Sequence, residues 1–276
     1  MPVISTNIAA NSAVRYLNMN SAEQTSSLSK LASGSRITQA SDDAAGLAIS
    51  TRISSDVTAL TQAATNASHG ISVLQTADGG ASNISDILQR MKSLASQASS
   101  GTVTDTERAY INAEFSQLIE EIDGIATGTR YNGESLLDGS SSQYNATGIS
   151  VMVGSSAADT ITLALTSLDA ASLGVNALTV DSQTNADAAL AALDTAIDAV
   201  SQARADIGAL ESRFGFRSEQ IATSIENLTA ANSAIIDTDV AAESSRLASA
   251  KVKTQAAVAA AAQASQMPQD LLKLLQ

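Results

Sequence analysis

Two long runs of seven-residue hydrophobic spacing constrain this chain more than any other feature. One reads Ile53, Leu60, Ala67, Leu74, Ala81, Leu88 and Ala95, with Val57, Ala64 and Ile71 as companions. The other passes unbroken through Leu193, Val200, Ile207, Phe214, Ile221, Leu228 and Ile235. Such spacing sustained over many turns is the seam of a coiled coil or helical bundle. Breakers are scarce: the 276 residues hold 15 glycines, and the only prolines are Pro2 and Pro268. At about 1.5 Å per residue, a helix over 185–235 alone would reach roughly 75 Å. Aromatic residues are 3% of the chain and Trp is absent, so Ala, Leu, Ile and Val must supply the packing. The expectation is a mainly α fold, in which the N- and C-terminal halves form a long antiparallel helical bundle.

A third helix joins these two. Thr104 and Glu107 form a capping box at its start, and Ile111, Phe115, Leu118, Ile122 and Ile125 follow at 4,3,4,3 spacing. Ser99-Ser100-Gly101 breaks the chain before it, which makes the first two long helices an antiparallel hairpin. Tyr131-Asn132-Gly133 reads as a turn. Ile149, Val151 and Val153, then Ile161, Leu163 and Leu165, alternate with other residues around Gly154-Ser155-Ser156 and predict a β-hairpin. A loop-rich stretch follows to Asp181. This β region is too small to organise the fold.

Charge is unevenly spread. The net charge is −13, yet residues 1–40 carry +2 and residues 234–276 carry zero. Ala- and Ser-rich, near-neutral ends therefore flank an acidic body, either as solvated tails or as segments meant to be buried against other chains. An acidic chain lacks the basic surface a nucleic-acid binder needs. The most apolar tract, Ala256–Ala264, is too short and too Ala-rich for a membrane span. Met1–Ala10 shows no basic start followed by an apolar block, so no secretory signal is expected.

Little in the chain suggests chemistry. Zero Cys removes thiol catalysis, thiolate metal sites and disulfides, and the single His69 excludes a two-His zinc motif. Asp42-Asp43 precede a helix start at Ala44 and read as capping residues, while Glu120, Glu121 and Asp123 read as the solvated face of the third helix. Gly79-Gly80 lack the Lys-Ser/Thr of a phosphate loop. Of the four glycosylation sequons, at Asn66, Asn83, Asn145 and Asn227, three fall in expected helices. No hydroxyl nucleophile has a base and an orienting group, and no catalytic, cofactor or metal site is expected.

The ordered series Ile4-Ser5-Thr6-Asn7, Leu31-Ala32-Ser33-Gly34-Ser35-Arg36-Ile37, Asp42 to Ile49 and Gly70-Ile71-Ser72-Val73-Leu74-Gln75-Thr76 resembles the N-terminal half of bacterial flagellin. Tyr131-Asn132-Gly133, Gly208-Ala209-Leu210, Arg213-Phe214, Asn227-Leu228, Ile236-Asp237-Thr238-Asp239 with Glu243, and Gln266-Met267-Pro268-Gln269 continue the resemblance to the C-terminus. It implies a structural subunit of the flagellar filament, secreted unfolded through the type III export apparatus, without a cofactor or insertion into a membrane. Residues 1–40 and 236–276 would form the inner core, 41–138 with 181–235 the long-helix bundle, and 139–180 its hairpin and loop portion. Only about 40 residues separate Leu137 from the long C-terminal helix, so no large outer domain is expected.

The resemblance further implies partners: many copies of the chain itself, an export chaperone at 236–276, filament cap and hook-associated proteins, and a vertebrate Toll-like receptor. Ile4, Ile8, Leu17, Leu28, Leu31, Leu271, Leu272, Leu274 and Leu275 are the expected core-assembly residues. The receptor contact carries over to Gln89, Arg90, Leu94 and Glu114, a surface that equally serves packing of the next copy in a filament. Ser93, Ser96 and Ser68-His69 depart from the family pattern, as do Lys251-Val252-Lys253 and the Ala run after them. Competing readings are a hook–filament junction protein of the same superfamily, an enzyme on a flagellin scaffold and a generic coiled-coil adhesin. The 40-residue middle leaves no room for a catalytic insertion, and an adhesin would not explain the ordered terminal motifs.

Overall fold

The structure is a computed structural model that describes residues 7–140, 144 and 147–274, with side chains to Gln266 at the C-terminal end. Its helices are α1 (Ile8–Ser33), α2 (Ala44–Ser99), α3 (Asp105–Gly128), α4 (Gln183–Ile236) and α5 (Val240–Leu274). Between α3 and α4 lie β1 (Arg130–Tyr131), β2 (Glu134–Ser135), β3 (Ile149–Met152) and β4 (Thr160–Leu163). The chain divides into two compact units, Thr58–Glu226 and the paired segments Met1–Val57 with Asn227–Gln276.

In the Thr58–Glu226 unit the first heptad register is the core. Leu60, Ala67, Leu74, Ala81, Leu88 and Ala95 are buried on α2. The companion series is a correction. Ala64 and Ile71 are only half-buried, whereas Ala63, Gly70, Ala77, Ile84, Met91 and Ala98, three residues after each register position, are buried. Large side chains thus alternate with Ala and Gly along one stripe, and Gly70 shows why. A Cβ there would meet the ring of Phe214 at 3.0 Å, so the bulk of α4 occupies the space that α2 leaves. Phe214 belongs to the matching stripe of α4, with Leu193, Val200, Ile207 and Ile221 buried and Ala189, Ala196 and Ala203 between them. Leu228 and Ile235, beyond Glu226, are half-buried. On α3, Phe115, Ile122 and Ala126 are buried, while Ile111, Leu118 and Ile125 are half-buried.

The turn between α2 and α3 is fixed by polar bonds. The buried Arg108 donates to the Ala98 carbonyl at 2.7 Å, the Ser100 carbonyl at 3.0 Å and Asp105 at 2.7 Å. One guanidinium satisfies carbonyls at the C-terminal end of α2 that lack intrahelical donors. The capping box is formed: the Glu107 amide donates to the Thr104 hydroxyl at 3.4 Å, and the Glu107 carboxylate accepts the Thr104 amide at 2.8 Å. The Thr104 amide and hydroxyl hold the Glu107 carboxyl below its ordinary pKa.

Asn132 and Gly133 both have positive φ, 52° and 87°, and close a hairpin in which Tyr131 pairs with Glu134. β3 and β4 pair antiparallel with Val151 opposite Ile161. The strands stop short of the expected Val153 and Leu165, although both side chains are buried. Arg217 ties this hairpin to α4 by donating to the Val153 carbonyl at 3.2 Å and to Asp159 at 3.0 Å. The stretch before α4 packs inward through Leu168, Ala170, Val175 and Val180. It is pinned to α3 by Asp123, which accepts the Ala170 amide, and Asn112, which accepts the Val180 amide, both at 2.8 Å. Asp123, expected as a solvated charge, therefore anchors a loop. Gly79-Gly80 lie within α2, and a Cβ on Gly80 would strike Leu137 at 2.9 Å, so close packing explains that glycine.

Phe214→Ala would leave a cavity opposite Gly70 and is expected to cost about 3–5 kcal/mol in urea unfolding of this unit. Because the folded Glu107 pKa is depressed, the cap's contribution is complete above the ordinary carboxylate value and lost as pH falls through the lowered one. Amide exchange at the start of α3 should therefore accelerate in acid for the wild type, while Glu107→Gln removes most of that pH dependence.

Candidate assembly interface

The second unit contains α1, α5, the first part of α2 and the last part of α4. Each terminal helix begins at a side-chain cap. Asn7 accepts the Ala10 amide at 2.9 Å at the start of α1, and Asp239 accepts the Ala241 and Ala242 amides at 2.9 and 3.1 Å at the start of α5. Gly34 ends α1 with φ of 70°, the left-handed conformation of a helix C-cap. The two carboxylates before α2 divide the work expected of them jointly. Asp43 caps the helix through the Gly46 amide at 2.9 Å. Asp42 instead accepts the Thr38 and Gln39 amides at 3.1 and 3.2 Å, which lower its pKa, Thr38 most strongly.

The segments after α1 and before α5 pair with each other. Ser35 bridges Asp237, the Arg36 amide donates to the Ile236 carbonyl at 2.6 Å, and the Thr238 amide donates to the Gly34 carbonyl at 3.0 Å. From there α1 and α5 run antiparallel, with Glu23 3.8 Å from Lys253 and Asn7 bonded to Ala264. The two helices are in contact along this pairing. Ser27, Glu243, Ala250 and Ala264 are the described buried residues of these helices, and none is a large hydrophobe.

The larger apolar side chains face outward. Ile8 is 69% exposed, Tyr16 62% and Val252 64%, and Val14, Met19, Leu28, Val240 and Val258 are exposed as well. Of the expected assembly residues, Ile8 and Leu28 lie on this open surface, while Leu17 and Leu31 are half-buried. Leu271, Leu272 and Leu274 lie in α5. Ile4 and Leu275 fall outside the described residues. The sequence signal for the exposed set was the neutral, apolar character of both ends; Val14, Tyr16, Met19 and Val258 were missed because neither end shows a regular heptad.

The 89–114 surface sits in the other unit. Arg90 donates through Nε and Nη2 to one oxygen of Glu114, at 2.9 and 2.7 Å, joining α2 to α3, and Gln89 is exposed beside it. Leu94 does not join them. It is 3% exposed and packs inside the bundle, next to the register residue Ala95, which corrects its expected place on the contact surface. His69 is exposed and lines an open groove with Asn66, Tyr131 and Tyr144. Among the described residues there is no group of three His, Cys, Asp or Glu placed to hold a metal ion, and no helix is long and apolar enough to cross a membrane.

A pair of terminal helices with large apolar side chains on its open surface is the arrangement of a structural subunit. Comparison with known proteins identifies which one. The bacterial flagellin N-terminal helical region matches residues 4–142, and the bacterial flagellin C-terminal helical region matches 190–275. The flagellin of Halalkalibacterium halodurans is 37% identical over 275 residues, covering 99% of each chain. The flagellar filament 30.7 kDa core protein of Treponema maltophilum is 34% identical, again over 99% of each. The crystal structure of Bacillus cereus flagellin superposes with a TM-score of 0.52 at 32% identity, covering 61% of this chain and 94% of that one. A putative flagellar hook-associated protein from Vibrio parahaemolyticus superposes with a TM-score of 0.57 at 16% identity, covering 70% and 99%, a likeness of fold alone. The chain belongs to the bacterial flagellin family and is a structural subunit of the flagellar filament.

Ala250 is fully buried in α5, in the unit where α5 packs on α1. Ala250→Leu should therefore abolish or strongly weaken filament formation, read by sedimentation, while urea unfolding of the Thr58–Glu226 unit stays within about 0.5 kcal/mol of wild type.

Proposed function

We propose that this chain polymerises through α1 and α5, whose outward apolar side chains are buried only when further copies pack against them. The exposed set from Ile8 to Val258 carries this reading. Full burial of a side chain of this size contributes about 1.5–3 kcal/mol, so several per subunit offset the ordering of two helices. The same surface in a free subunit leaves those helices marginal, and residues 1–40 and 236–276 then fold on assembly. A contact between copies that does not close into a ring extends into a helical filament. In this arrangement 1–40 and 236–276 form the inner layer, 41–138 with 181–235 the surrounding bundle, and 139–180 its hairpin and loop portion.

The absence of Cys from the whole sequence suits passage of an unfolded chain through a secretion channel, since no disulfide obstructs threading. Export to the cell exterior, an export chaperone bound at 236–276, and contact with filament cap and hook-associated proteins belong to the same reading. The chain acts as a structural element and not as an enzyme. The Arg90–Glu114 pair, with Gln89, is a contact for the neighbouring copy. A receptor that required Leu94 would have to open the bundle, so recognition by a Toll-like receptor rests on Gln89, Arg90 and Glu114 alone.

Electron microscopy of the purified chain after seeding, beside a chain ending before residue 236, tests the proposal. Long filaments are expected from the full chain and none from the truncation. A full chain that stays monomeric with filament seeds present would overturn this reading in favour of the hook–filament junction protein.

A further inference from the structure

α5 contains a proline where a helix ordinarily has none. Pro268 lies within Val240–Leu274 and has no amide hydrogen, so the carbonyl four residues earlier, that of Ala264, receives no i→i−4 bond. Ala264 is buried, and an unmatched acceptor there is costly. The missing donor comes from the opposite end of the chain: Asn7 Nδ2 donates to the Ala264 carbonyl at 2.7 Å. The same carboxamide presents Oδ1 to the Ala10 amide at 2.9 Å and caps α1. Asp, Ser and Asn cap about equally well. Of the three, only Asn adds an NH₂ group that can donate while its oxygen remains the cap.

The position of this bond gives it a task. The backbone pairing around Ser35 and Asp237 fixes one end of the α1–α5 pair. α1 then runs 26 residues, about 39 Å, to its other end. The buried side chains described along the pair are Ser27, Glu243, Ala250 and Ala264, and the three small ones interlock weakly. A slip of one turn would displace the outward side chains of α1 against those of α5 by about 5.4 Å. We infer that Asn7 is a clasp whose single carboxamide caps α1 and supplies the donor that Pro268 withholds from Ala264, setting the register of α1 on α5 in which the chain assembles. This inference rests on the assembly proposed above.

A mutant cycle on the full chain tests it, read as the concentration of unpolymerised subunit in equilibrium with filaments. Asn7→Ser keeps a cap and removes the second donor. It should raise that concentration about five-fold, the equivalent of one hydrogen bond of about 1 kcal/mol. Asn7→Ala loses the cap as well and should raise it further. Pro268→Ala restores an amide to Ala264, so Asn7→Ser in that background should change the concentration less than about two-fold. An Asn7→Ser chain that assembles like wild type, or one that loses equally in both backgrounds, would overturn the clasp. If the wild type itself does not polymerise, the assembly reading fails instead. The same cycle is then read on amide protection along α1 in the free chain, with the same two outcomes overturning the clasp.

Discussion

Close approach between helices, made possible by Ala, Ser and Gly at the contact, is the interaction on which this structure depends. It acts differently in the two units. In the Thr58–Glu226 unit Gly70 is answered by Phe214 from another element, and the bulk is buried. In α1 and α5 the fully buried apolar residues are small, and many of the bulky apolar side chains are left on the outside. Packing is complete within one chain in the first case, and in the assembly proposed above other chains complete it in the second.

The large-scale architecture was legible because sequence periodicity reports burial directly. Leu60 to Ala95 and Leu193 to Ile221 marked the seams of α2 and α4, and Thr104 with Glu107 marked the start of α3. The companion stripe was harder to see. Gly70, Ala77 and Ala98 carry little hydrophobic signal of their own, and Val57 and Ile71 drew attention to the wrong offset. Their burial depends on what α4 brings opposite them, which no local pattern encodes. The family motifs at both ends identified the terminal helices, yet not which side chains face outward, because neither end carries a regular heptad.

Polar anchoring was the least legible layer. Arg108 carries no signal of its own in the sequence, and Asp123 reads as part of an acidic face. Each instead satisfies backbone groups that regular structure leaves open, at the α2–α3 turn and in the stretch before α4. Asn112 and Asp123 lie eleven residues apart, three helical turns on one face of α3, so the spacing was present in the sequence. Nothing in it said that an irregular segment would lie along that face with amides to offer. Leu94 illustrates the converse: a motif carried the residue to a contact surface, and the heptad beside it placed the side chain in the core.

The bond between Asn7 and Ala264 joins residues 257 positions apart. Closing so long a loop is slow for an unstructured chain, because the entropy of closure is spent before the contact contributes anything. The bundle shortens that search. Once Gly70 has met Phe214, most of the intervening chain is already closed, and only the outer arms remain to find each other. Topology thus favours closure of the middle before the ends. A defect buried deep in the bundle would then show itself as a delay in growth, even in filaments that, once formed, look sound.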